Sequence, residues 1–380
     1  METKLWTKNF INITIINLLL FFGFQIMLAT LPLHVKLIGG TDSIVGWISG
    51  AATIASVLVR PFAGMILDKF NRKTVLIFGI IIIIGITLSY GFISVLGLIL
   101  VIRFVHGIGW GIASTASNTV ATEVIPKSRF GEGMGYFGLS SSLAMSVAPA
   151  LALSLLNLVG FQKISLLSMI IGLLALISTL IFQYKGEDVK QIPDKKTSLY
   201  EIASITPSII MFFVTASYGT IVGFISIYSA ERGIANIGLF FTVFAISVLV
   251  IRPFAGKVMD KFGHKFIVFP GLILLICSLL ILSYSSELLL FLFCAVLYGV
   301  GFGAVQSCLQ TMAVASVPKE RRGAATATFY TGFDAGIGLG SIFGGIIASM
   351  FGYSRMYQIF SLFLIIAILV YVVSNKKEEL

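Results

Sequence analysis

Residues 60–70 read RPFAGMILDKF and residues 252–262 read RPFAGKVMDKF, eight identities in one frame and 192 positions apart. Both copies stand where a long apolar run gives way to basic residues. The same offset carries Gly107 to Gly299, Gly109 to Gly301, Gly111 to Gly303, Pro126 to Pro318, Arg129 to Arg321, Gly131 to Gly323 and Gly160 to Gly352, without a gap. The chain is therefore a tandem repeat, and the rest of the sequence says of what.

Of its 380 residues, 57% are hydrophobic and 11% charged, and the mean hydropathy is +1.02. That is more apolar surface than one soluble core can bury, which makes the chain an integral membrane protein. A helix needs about 20 apolar residues to cross roughly 30 Å of hydrocarbon. Twelve stretches meet that length, near 9–31, 43–67, 74–94, 96–121, 134–158, 162–184, 203–228, 235–259, 265–285, 288–314, 324–349 and 353–374. They are long continuous runs rather than the short alternating segments of a membrane barrel. The expected fold is all-α, with twelve transmembrane helices in two parallel six-helix repeats. Residues 1–184 and 203–380 form the two bundles, and the polar stretch 185–202 is a cytoplasmic linker. The first span has no small-residue cleavage site after it and is read as retained.

Charge sets the orientation. With both termini in the cytoplasm, 21 of the 26 Lys and Arg lie inside, Lys36, Lys163, Arg232 and Arg355 lie outside, and Arg103 falls within a span. The net charge of +10 is then topology and no sign of nucleic-acid binding. A multi-pass protein of the cell membrane follows, with the lipid bilayer as its first partner.

Function is sought where the two halves differ. Arg103 aligns with Ala295, His106 with Tyr298 and Asp334 with Ser142. Asp334 stands 12 residues beyond Arg322, which at 1.5 Å per residue is roughly 18 Å into the membrane. A carboxylate there marks a functional site by default, and burial moves it toward the range in which it exchanges protons. Its other reading is a packing residue among Gly332, Gly336 and Gly340. His106, one turn deeper than Arg103 on the same face, joins Asp334 as a candidate for proton coupling. Arg103 could hold an anionic substrate group, balance Asp334, or bond backbone carbonyls, and His106 could be a packed core residue. Gln25, Asn118, Tyr218, Gln306 and Gln310, with Trp110, Phe24 and Phe302, are candidates for a substrate cavity or for plain helix packing.

Several motifs fail. Gly107, Gly109 and Gly111 lack the GxGxxG spacing and follow no strand, and no GxxxxGK[ST] is present. Three scattered histidines and three cysteines within apolar spans form no metal set. No cofactor, metal or enzymatic activity is expected.

Gly64, Asp68, Arg72 and Lys73, repeated as Gly256, Asp260, Gly263, His264 and Lys265, resemble motif A of the major facilitator superfamily. Leu100, Arg103, His106, Gly107 and Gly109 resemble motif B of its drug:proton antiporter branch, with His106 where that branch usually has Gln, and the resemblance implies that Arg103 takes part in proton coupling. Gly135, Ala144, Ala148, Pro149 and Ala152 resemble motif C, an antiporter-type helix-packing element, with alanine in place of most of its glycines. The resemblance spans essentially the whole chain. It implies that motif A (Gly64, Asp68 and Arg72, with Gly256 and Asp260) is a cytoplasmic latch, Asp68 facing the positive end of a neighbouring helix. An ordinary Asp68–Arg72 surface pair is the plainer reading. It also implies a secondary active transporter that rocks about a midplane site, exporting a small amphipathic molecule in exchange for protons and working as a monomer. A proton-coupled importer or facilitator of a sugar-like nutrient, and a membrane sensor that transports nothing, are the alternatives.

Overall fold

The computed structural model describes residues 4–126, 129–184, 200–315, 317 and 322–378. Most of the expected linker, 185–202, lies outside the described residues, as do the side chains of Asp68 and Asp260 and the surroundings of Gly64. The described chain is helical, with no strand. Its helices are α1 (Lys8–Leu37), α2 (Asp42–Lys69), α3 (Arg72–Tyr90), α4 (Leu96–Val124), α5 (Phe130–Val159), α6 (Phe161–Ile181), α7 (Ile205–Glu231), α8 (Gly238–Phe262), α9 (Lys265–Tyr284), α10 (Leu288–Ala315) and α11 (Arg322–Glu378). All eleven hold a stretch long and apolar enough to cross a membrane. Large apolar side chains on their outer faces, among them Leu158, Ile181 and Phe266, are more than half exposed. A helix apolar on all sides suits a lipid surround and not water.

Helix ends follow local chemistry. Asn71 caps α3, its side chain accepting a hydrogen bond from the Lys73 amide at 2.9 Å. Gly160 divides α5 from α6 at φ 78°, ψ 163°, and its repeat partner Gly352 breaks α11 at φ 80°, ψ 166°. Both lie in the left-handed half of the map, where a side chain is strained.

The described chain forms two compact units. One comprises Met1–Leu31 with Ile54–Thr197, the other Pro32–Thr53 with Ser198–Leu380, so α1 and α2 each contribute to both. Glycines hold the helices of each unit close. In the first, Gly79 faces Ala113, Gly109 faces Ile82 and the Gly79 carbonyl, and Gly111 faces Ser56 and Val59. In the second, Gly271 faces Val305, Gly301 faces the Gly271 carbonyl and Leu275, and Gly303 faces Val248 and Ile251. Glycines 192 positions apart thus meet partners many of which are themselves 192 positions apart, Ala113 with Val305 and Val59 with Ile251.

Candidate functional site

In the first unit, α4 puts Arg103, His106 and Trp110 on one face, since residues three and four apart stack along a helix. Arg103 and His106 are wholly buried and Trp110 is 3% exposed. Arg103 Nη1 lies 3.2 Å from His106 Nδ1. The Tyr90 hydroxyl, from the last residue of α3, lies 3.3 Å from the same nitrogen. A guanidinium can only donate, so Nδ1 accepts and the imidazole is the neutral tautomer with its hydrogen on Nε2. Phe24 of α1 covers the group. Its ring stacks on Trp110 at 4.3 Å and 17°, meets His106 edge-on at 5.4 Å and sits 5.3 Å from the Arg103 guanidinium carbon in a cation–π contact. Arg103 Nε and His106 Nε2 are buried and have no acceptor among the described residues.

The remaining first-unit candidates are less available. Gln25 is buried, and Asn118 spends its amide on its own helix, donating to the Ser114 carbonyl at 2.9 Å. Sequence reading passed over Tyr90, whose place at a helix end gives no hint of a tertiary partner. It also passed over Asn17, which donates to the Ser140 and Ser141 hydroxyls, each at 2.9 Å. An Asn well inside an apolar span, flanked by Ile16 and Leu18, is a signal that could have found it.

In the second unit, Asp334 is 7% exposed on α11. Gly332, Gly336 and Gly340 of that helix pack against Ser208, Phe212 and Ala216 of α7. Tyr218 stacks on Phe302 at 5.0 Å and on Phe244 at 5.9 Å. Tyr298, which occupies the repeat position of His106, shares a 2.7 Å hydrogen bond with Ser217. Gln306 accepts from Arg252 Nη2 at 3.1 Å, and Gln310 donates to the Tyr330 hydroxyl at 3.3 Å. Arg252 is thereby tied to a side chain of α10. Arg103, His106 and Trp110 belong to one unit, and Asp334, Tyr218, Gln306 and Gln310 to the other.

At the motif A loop, Arg72 Nη1 pairs with Glu123 Oε1 of α4 at 2.7 Å, and the Tyr184 hydroxyl donates to Glu123 Oε2. Burial first, then the hydrogen bond and negative charge of Glu123, push the Tyr184 phenol up to about 12. Lys73 Nζ donates to the Leu180 and Phe182 carbonyls at 3.0 and 2.7 Å. Gly256 is exposed, and a methyl there would meet nothing within 4 Å. On α5, Ala148 and Pro149 are buried, whereas Gly135 is exposed and faces open space. Cys294 and Cys308 are buried, Cys277 is exposed, and all three are free thiols. Among the described residues no three His, Cys, Asp or Glu gather as a metal site.

The family model described as Major Facilitator Superfamily matches residues 13–235 and 207–379. The chain belongs to this superfamily. Its curated relatives include the staphylopine export protein of Staphylococcus aureus, 25% identical over 376 residues that cover 94% of each chain. The multi-drug resistance efflux pump PmrA of Streptococcus pneumoniae is 28% identical over 173 residues, 44% of this chain and 43% of its own. Among solved structures, the nucleoside transporter NupG superposes with a TM-score of 0.76 at 14% identity, covering 97% of this chain and all of its own. A bacterial homologue of the lysosomal transporter Spinster superposes at 0.77 and 16%, covering 97% and 96%. A major facilitator chain is a multi-pass membrane transporter of small molecules and not an enzyme.

Proposed function

We propose that this major facilitator chain is a proton-coupled exporter of a small amphipathic molecule, working by alternating access between halves 1–184 and 203–380 in the cell membrane, with both termini cytoplasmic. Twelve spans are counted by taking α11 as two helices that meet at Gly352. The observation that carries the reading is Asp334, a carboxyl 7% exposed within the apolar span Thr328–Ser374. A carboxyl held inside an apolar span is costly there and marks a functional site by default. The export direction is supported by efflux relatives such as the staphylopine exporter.

Asp334→Asn imitates the protonated state permanently. In inverted vesicles it should abolish substrate accumulation driven by an imposed pH gradient, while exchange of bound for free substrate persists. Accumulation at the wild-type level would move the coupling role away from Asp334. His106 is the weaker carrier, because protonating Nδ1 first breaks its bond to Arg103.

A further inference from the structure

We infer that Arg103 and His106 form a recognition site for the anionic group of the transported molecule, so that the substrate is an organic acid with a flat apolar body. This rests on the transport reading above and names the substrate class for it. The argument begins with charge. Arg103 is fully buried, and its contacts, an imidazole nitrogen at 3.2 Å, the Tyr90 hydroxyl and the face of Phe24 at 5.3 Å, are neutral groups. The described carboxylate of its own unit, Glu123, is engaged by Arg72 and Tyr184. A buried cation with no counter-charge among the described residues of its unit is costly, and the cost is relieved when an anion arrives.

Hydrogen-bond accounting points the same way. Since the guanidinium donates to His106 Nδ1, the imidazole hydrogen stands on Nε2. Two buried N–H donors, Arg103 Nε and His106 Nε2, therefore lack an acceptor among the described residues. The Nε deficit is shared by Arg60, Arg72 and Arg252, so the His106 Nε2 donor, buried beside the guanidinium, is what sets this pair apart. Oxygens of a carboxylate supply acceptors and charge together. The aromatic surround fits the rest of such a ligand. Phe24 stacks on Trp110 and, with Phe21 against the same indole at 4.7 Å, offers flat apolar surface beside the charged group. Because Arg103 and His106 have no exposed surface, the acid enters as the Phe24 ring swings off the guanidinium.

Three probes sharing one indole ring test this: indole-3-acetate, indole-3-acetamide and tryptamine, which are anionic, neutral and cationic. Binding to the purified full-length protein in detergent is followed by thermal stabilisation, which grows with ligand concentration over Kd. Indole-3-acetate should raise Tm at millimolar concentration, and the amide and the amine should not. Arg103→Gln should weaken the acid on the order of a hundredfold and His106→Leu about tenfold, the range for losing charged and single hydrogen bonds. Should Arg103→Gln not yield folded protein, Arg103→Lys together with His106→Leu carries the test, and an unchanged Kd for the acid in both overturns the proposal. So does stabilisation by tryptamine in place of the acid. Recovery of folding or transport in an Arg103→Gln, Asp334→Asn double variant overturns it too, by making Asp334 the counter-charge of Arg103. Binding in detergent needs no proton gradient. Indole-3-acetate bound by a protein whose Asp334→Asn variant still concentrates it would sink the coupling reading and leave this site standing, and the converse result would do the opposite.

Discussion

At the scale of the residue, Arg72 pairs with Glu123, 51 positions away on α4, with Tyr184 on the other oxygen. Both charged side chains are about one-fifth exposed, so the pair is worth more than a surface ion pair. Glu123→Gln should cost about 1–2 kcal/mol, seen as a lower Tm. The phenol adds a pH signature. A folded pKa raised to about 12 from the ordinary 10 gives a contribution that is complete below pH 10 and lost as pH rises through 12. The stability gap between wild type and Tyr184→Phe should therefore hold level from pH 7 to 10 and shrink above, and a gap that closes by pH 9 would refute the Glu123 bond. Sequence could nominate Arg103 and His106, because they break the repeat inside apolar spans. It could not find Phe24 covering them or Tyr90 beside them, since those contacts come from other helices and leave no trace in spacing.

Helices were more legible than their partners. Hydropathy located the apolar middle of each span but stopped short of its ends. It gave 9–31 where α1 runs from Lys8 to Leu37, because a helix carries on into polar territory with His34 and Lys36 in its last turn. The glycines were read as packing positions, and the structure sorts them by what lies opposite. A methyl on Gly301 would stand 2.7 Å from the Gly271 carbonyl oxygen and 3.0 Å from Leu275, whereas one on Gly135 would meet nothing. Gly301→Ala should destabilise by roughly 1–3 kcal/mol, the cost of overpacking. Gly135→Ala should instead stabilise by up to about 1 kcal/mol through helix propensity. Thermal unfolding of the two variants in one detergent decides the matter, and equal Tm values would mean that α9 and α10 do not pack as closely as described. The motif C likeness gains no packing role at Gly135 from these contacts.

For the whole molecule, what a sequence conveys best is repetition, because duplicated frames preserve spacing even where side chains drift. The offset of 192 survives in three dimensions as Gly160 and Gly352 with matching backbone angles and as glycines that meet corresponding partners. Compactness was not legible. Residues Pro32–Thr53 associate with the second unit, through Gly46 against Gly345 and through Asp42, whose carboxylate takes 2.5 Å hydrogen bonds from both Lys36 and Tyr353. Pairing of that kind depends on which helices meet, and the order of residues along one span does not encode it. It also decides how the proposed topology is best probed. Asp42 is held on two sides, so a cysteine there would disturb what it reports, and the exposed neighbour Thr41 is the better position. Cys277, exposed on α9, must first be replaced by Ser to silence the background. Single cysteines at Lys190 and Lys377 should then react with a membrane-impermeant maleimide only after the cytoplasmic face is opened, and one at Thr41 should react in intact cells. In the proposed topology an even number of spans separates the two copies of RPFAG, which puts both on the same side. Labelling of position 190 from outside would break that parity and with it the parallel arrangement of the halves.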